Sequence, residues 1–238
     1  MSDFWLIHGS CHGAWCWRDV IPALAALGHS ARAIDLPGHG DDTTPIDGQT
    51  LPACAQKIVD ALDRPSIVIG HSWGGYPITA AAELDNRNIL GLGYLCAYTP
   101  YDGMSLGQMR QLAARQPIMH AVRVAEDGLT YTIDPDEVQP LFYHDCPPDA
   151  VAYAAPRLCP QAVLPQRTPL AVTGASAGLP RHYILCRDDR TIPPEFQDEM
   201  AANFPAEARH ELPTSHSPFF ADPAGLATVL DKIAKSIG

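Results

Sequence analysis

The 238-residue chain predicts an α/β fold: a mostly parallel central sheet of about six strands flanked by helices, with a small inserted cap. Three observations carry that expectation. Short apolar runs alternate with segments that have a single helical apolar face. The alternation lapses between about residues 100 and 165, and it resumes from there to the C-terminus. The length suits one domain with an inserted lobe and is enough for a substantial core. The expected division is a first core segment over 1–99, a cap over 100–165 and a second core segment over 166–238.

The elements follow in order. Strand candidates are FWLIH, SARAID, SIVIG, ILGLGYLCAY, RHYILC and ARHEL. They are short and rich in branched or aromatic residues, as buried strands are. Between them, WRDVIPALAALGH has a helical apolar face and a C-terminal stop at Gly28. LPACAQKIVDAL gives a second face through Leu51, Ile58, Val59 and Leu62. GGYPITAAAEL predicts a helix with Pro77 in its first turn, where a missing N–H is tolerated. The tail carries a Leu226, Val229, Leu230, Ile233, Ile237 stripe. In the interrupted region, EDGLTYTI predicts a hairpin, and the proline-rich CPPDAVAYAAPRLCPQAVLPQR does not suit a central strand. Helices between strands require a parallel sheet covered on both faces.

Composition narrows the function. The formal net charge of −11, without a Lys/Arg run, disfavours nucleic acid and anionic membranes as partners. It also favours a neutral small-molecule substrate over a polyanion. Seven dispersed cysteines read as reduced thiols of a cytoplasmic protein. The opening MSDFWLIHG passes straight into a strand candidate with no basic, apolar leader, and no stretch is long and apolar enough to span a bilayer.

The chemistry centres on Gly70-His71-Ser72-Trp73-Gly74, which matches G-x-S-x-G between a strand and a helix. Small residues there permit a tight reversal that lifts the Ser72 hydroxyl off the end of the sheet. The Trp73 amide would then sit at a helix start, ready to bind an oxyanion. A serine nucleophile needs a base, and His216 in LPTSHSPFFADP follows the last strand candidate; His210 is the competitor, placed within that strand. The base needs an orienting carboxylate. Asp189 is favoured over Asp188, both lying just beyond RHYILC. IHGSCHG supplies the second oxyanion donor, the Ser10 amide, next to Gly9. His8 with His12, the His144-Asp145-Cys146 cluster, and His210 with His216 lack the spacing of a metal site. Nucleotide-binding glycine motifs are absent, so neither a metal nor a cofactor is expected.

These residues resemble the α/β-hydrolase superfamily. More narrowly, LIHGSCHGAWCW, GHSWGG, ILCRDDRTIPPEFQ and SHSPFF resemble the plant methyl-ester esterase and hydroxynitrile lyase family and its bacterial esterase relatives. DLPGHG is a more general feature of the superfamily. The resemblance spans nearly the whole chain and implies an α/β-hydrolase fold with a Ser72, Asp189, His216 triad under a small mobile cap. It places the oxyanion amides on Ser10 and Trp73. The lyases of that family have threonine and lysine at the positions of Gly9 and Ser217, so the resemblance implies an esterase acting on small to medium, largely neutral carboxylic esters. Hydroxynitrile lyase is the alternative enzyme, and a hydrolase-like ligand receptor with little turnover the alternative from another class. Gly9 leaves room for an ester carbonyl; Trp73, Leu106, Met109, Leu141, Phe142 and Phe219 are candidate pocket residues. The family includes dimers, so the resemblance allows a homodimer.

Overall fold

Each of the short apolar runs becomes a strand of one sheet. In the computed structural model, which describes residues 1–238, these are β1 (Asp3–Ile7), β2 (Ser30–Ile34), β3 (Ser66–His71) and β4 (Ile89–Leu95). After an interruption come β8 (Arg181–Cys186) and β9 (Arg209–Leu212). The sheet has six strands in the order β2-β1-β3-β4-β8-β9, and every pairing is parallel. Successive side chains of a strand point to opposite faces. In β1 and β3, Phe4, Leu6, Ile67 and Ile69 pack to one side; Trp5, Ile7 and Val68 pack to the other. That is why these strands are continuous apolar runs and not alternating ones.

The helices supply the two covers. α1 (Val20–Ala26) and α11 (Pro223–Ile237) close one face, through Val20, Leu24, Leu226, Leu230 and Ile233. α2 (Leu51–Ala61), α3 (Gly75–Leu84) and α9 (Pro194–Ala201) close the other, through Leu51, Ile58, Tyr76, Ile78, Phe196 and Met200. Local signals set the ends. The Thr50 hydroxyl accepts from the Ala53 N–H at the start of α2, and Asp222 accepts from Gly225 N–H at the start of α11. Gly28, at φ 84°, turns the chain out of α1. Full burial of an aliphatic side chain in either layer stabilises by about 1.5–3 kcal/mol.

Between β4 and β8 the chain builds a cap-like region beyond the sheet. It contains α4 (Leu106–Leu112), the antiparallel β5 (Val122–Val124) and β6 (Thr130–Ile133), α5 (Pro135–Phe142) and α6 (Pro148–Ala154). β7 (Gln161–Ala162), α7 (Leu164–Arg167) and α8 (Gly174–Ala177) complete the return. The EDGLTYTI stretch forms the β5–β6 turn and β6. The proline-rich stretch forms α6 and the short β7, which extends the cap sheet and stays out of the central one. No helix is long and apolar enough to cross a membrane.

Strand order reverses at β1, which lies between β2 and β3. Loops leaving neighbouring strands on either side of such a point diverge and leave a crevice at the carboxyl edge. Ser10 follows β1, Ser72 follows β3, Asp189 follows β8 and His216 follows β9. The parallel sheet therefore delivers all of them to one edge. The turn after β3 is tight: a Cβ on Gly70 would lie 2.5 Å from the Gly74 carbonyl oxygen. G70A is expected to lose about 1–3 kcal/mol of stability, read from denaturant unfolding. An unchanged transition midpoint would contradict this packing.

Candidate active site

β3 ends by turning directly into a short 3-10 turn, Ser72–Gly74, that leads into α3. Ser72 sits at φ 54°, a left-handed conformation rare for a side chain other than glycine. The Tyr98 N–H donates to the Ser72 carbonyl and helps hold the turn. Bare backbone on the facing loop lets the turn fit. A Cβ on Gly9 would lie 2.7 Å from His71 Nδ1 and 2.9 Å from Ser72 Cβ. The Trp73 amide opens the helical turn, where the first N–H groups have no intrahelical acceptor. The Ser10 amide has no backbone acceptor either. Ser10, Ser72, Trp73 and His216 line one small cavity of about 40 Å3.

Asp189 and His216 are both buried and joined by a 2.7 Å hydrogen bond from His216 Nδ1 to Asp189 Oδ2. An ionised carboxylate only accepts, so Nδ1 carries the hydrogen and Nε2 keeps its lone pair. The carboxylate is saturated. Oδ1 accepts from the amides of Thr191 (2.7 Å) and Ile192 (3.0 Å), and Oδ2 also accepts from Gln197 Nε2 (2.9 Å). Asp188 instead points to solvent, and its carbonyl accepts from His144. His210 lies on β9 and contacts His182, away from this cavity. No hydrogen bond of normal length joins Ser72 Oγ to His216 Nε2. Both groups border the same cavity.

Several side chains fix the histidine loop. His71 Nε2 donates to the His216 carbonyl at 2.8 Å. Asp145 accepts from the Ser215 amide at 2.7 Å, and the Phe142 ring stacks on His216. Asp145, considered above for metal binding, thus ties the cap to the His216 loop. The other candidate ligands are engaged as well. His8 donates to the Gly9 carbonyl and accepts from the Leu36 amide. His71, Cys96 and His216 bring potential ligand atoms within 4.8 Å of one another. Of these, His216 Nδ1 is committed to Asp189, and burial pushes the Cys96 thiol far above its usual range, leaving it protonated.

Of the expected pocket residues, Leu106, Phe142 and Trp73 line the cavity. Met109, Leu141 and Phe219 are buried elsewhere. Met109 packs in the layer with Leu106, Leu141 contributes its carbonyl to the Thr191 hydroxyl, and Phe219 packs edge-on against His71. Gly9 packs against the turn at His71 and Ser72 and not on the cavity wall. The sequence reading missed Arg110, Tyr131 and Gln166, which border the cavity from the cap side. Gln166 donates to Ser10 Oγ at 2.7 Å, and Tyr131 donates to Gln166 Oε1 at 3.1 Å. Gln197 carried a legible signal: it is a lone polar residue beside Phe196, Met200 and Ala201 on the buried face of α9.

Burial keeps the histidines around the loops neutral. His12 donates from Nδ1 to the Ser10 carbonyl and accepts at Nε2 from the Tyr143 hydroxyl. Burial lowers its pKa from 6.5 to about 4. Burial likewise holds His8 and His71 well below the usual range. The unfolded chain binds protons that these rings refuse, so stability is retained above about 6.5 and falls as the pH drops towards 4. Thermal melts at fixed ionic strength are expected to show a declining melting temperature over that interval. A flat profile would contradict neutral, buried rings.

A family described as "Alpha/beta hydrolase family" matches residues 6–229 of the chain. Methylesterase 1 of Arabidopsis thaliana is 31% identical, over 98% of this chain and 96% of the relative. A pyrethroid hydrolase of Sphingobium wenxiniae is 30% identical, over 98% of this chain and 88% of the relative. The crystal structure of a pyrethroid hydrolase from Sphingobium faniae superposes with a TM-score of 0.83 at 27% identity, covering 99% of this chain and 98% of the other. Polyneuridine aldehyde esterase superposes with a TM-score of 0.87 at 20% identity, over 98% of this chain and 99% of the other, a likeness of fold alone.

Proposed function

The chain belongs to the alpha/beta hydrolase family and is a serine-type ester hydrolase, and we propose that Ser72, Asp189 and His216 carry its reaction. The observation that supports this most is the buried Asp189–His216 hydrogen bond, which leaves His216 Nε2 as an acceptor at the cavity that Ser72 also borders. In this reading His216 Nε2 removes the Ser72 proton while Oγ attacks the ester carbonyl. Charge on the carbonyl oxygen is received by the Ser10 and Trp73 amides. The imidazolium, steadied by the ionised Asp189, then protonates the leaving alcohol. Water then attacks the acyl carbon as it loses a proton to His216, and the C–Oγ bond breaks as His216 returns that proton to Ser72 Oγ, releasing the acid.

The substrate in this reading is a small to medium carboxylic ester. The names of the relatives, a methylesterase and a pyrethroid hydrolase, support that class. At about 40 Å3 the cavity beside Ser72 holds only the reacting atoms and a neighbour or two. Larger groups extend past Arg110, Tyr131 and Gln166 into an adjoining cavity of about 520 Å3, which those same residues also line. Residues 100–165 act as the cap in this scheme. A cytoplasmic setting is supported by all seven cysteines being free thiols, the form a reducing compartment maintains.

S72A is expected to lower kcat on methyl and aryl esters by roughly 10^4-fold or more, with the protein still folded. Turnover undiminished in a purified, folded sample would exclude Ser72 as the nucleophile.

A further inference from the structure

The wall between the two cavities contains a charge with no partner. Arg110 lies on α4 and borders both the cavity at Ser72 and the larger outer one. Its Nε is buried and has no hydrogen-bond partner. Other arginines of the same region are paired: Arg115 with Glu195, and Arg123 with Asp134. The guanidinium is permanently charged and presents five donors. A buried donor left unsatisfied keeps its full desolvation cost, so an acceptor supplied by a ligand would recover that loss.

The surroundings favour an anion there. No aspartate or glutamate lines either cavity, and Arg167 adds a second cation at the exposed rim of the outer one. The Arg110 charge reaches Tyr98 and Tyr131, where it opposes the upward push that burial gives their hydroxyls. The carboxylate near Tyr98 is Asp189, which is already enclosed by four donors of its own. The local sign is thus opposite to the chain's formal net charge of −11. That net charge and the family resemblance were the grounds for expecting a neutral substrate.

We propose that the substrate is an ester that also bears a carboxylate, held with its ester carbonyl at Ser72 and its carboxylate on the Arg110 guanidinium in the outer cavity. A carboxylate matches the planar donor fork of arginine, and such charge-assisted pairs are about twice as strong as neutral ones. The scissile group and the anion then lie on opposite sides of the neck formed by Tyr131 and Gln166. This makes Arg110 the residue that selects among esters, and it rests on the assignment of Ser72 as nucleophile.

The test compares two substrates of matched size, the mono-4-nitrophenyl ester of adipic acid and the 4-nitrophenyl ester of adipic acid monoamide, by nitrophenolate release. The wild-type protein is expected to favour the acid in kcat/KM by about tenfold or more. In R110Q that ratio is expected to fall to about one, in R110K to an intermediate value, and in K232Q, which removes a distant exposed cation, to stay at the wild-type value. A wild-type ratio of one or below overturns the proposal without any variant, and so does a folded R110Q that keeps the wild-type ratio. S72A separates the two assignments. If it retains turnover with the preference intact, Ser72 is wrong and the anion site stands. If it loses turnover while the wild-type enzyme shows no preference, Ser72 stands and the anion site is wrong.

Discussion

The bond between Asp189 and His216 is the constraint on which the site depends. A carboxylate buried at the edge of the sheet is costly unless each oxygen is satisfied. Here the Thr191 and Ile192 amides, the Gln197 side chain and the His216 ring satisfy it together. That saturation fixes the tautomer of His216 and directs its free lone pair at the cavity. It also explains why the loop after β8 and the first turn of α9 are held so tightly. Gln197 bridges them, accepting from the Cys186 amide and donating to the Ile192 carbonyl.

The rest of the fold places His216 and the strained Ser72 on the wall of one cavity. Ser72 can occupy its left-handed conformation because the turn is clamped from both sides, by Tyr98 beyond β4 and by the bare backbone of Gly9 beyond β1. Holding such a conformation costs of order 1–3 kcal/mol, which the packed core around β3 must over-determine. All six residues of β3 are buried. The cap contributes at a distance, since Asp145 and Phe142 both contact the loop that carries His216. Cap and histidine are therefore mechanically linked.

The six strands and the main helices were legible in the sequence because their burial is periodic. Apolar runs such as SIVIG admit one placement only, inside a sheet covered on both faces. The G-x-S-x-G turn was legible because glycine is required by close backbone approach, a local property. The cavity wall was not. Met109, Leu141 and Phe219 are as apolar as Leu106 and Phe142, and nothing local tells which of them faces a cavity and which faces the core. Arg110 was invisible for a different reason. An arginine on an amphipathic helix is usually solvated or paired, and its lack of a partner emerges only when the cap folds over the sheet. Adjacent side chains of an extended segment diverge, so only one of Asp188 and Asp189 needed to reach His216, and the structure places Asp188 in solvent and Asp189 against His216.

In the proposed reaction one hydroxyl, that of Ser72, is made unusually nucleophilic by its surroundings. The most direct measurement is stoichiometric labelling with a fluorophosphonate, followed by mass spectrometry of the proteolytic peptides. One adduct per chain, located on Ser72, is expected. Labelling at any other residue, or none at reagent concentrations that saturate serine esterases, would contradict it.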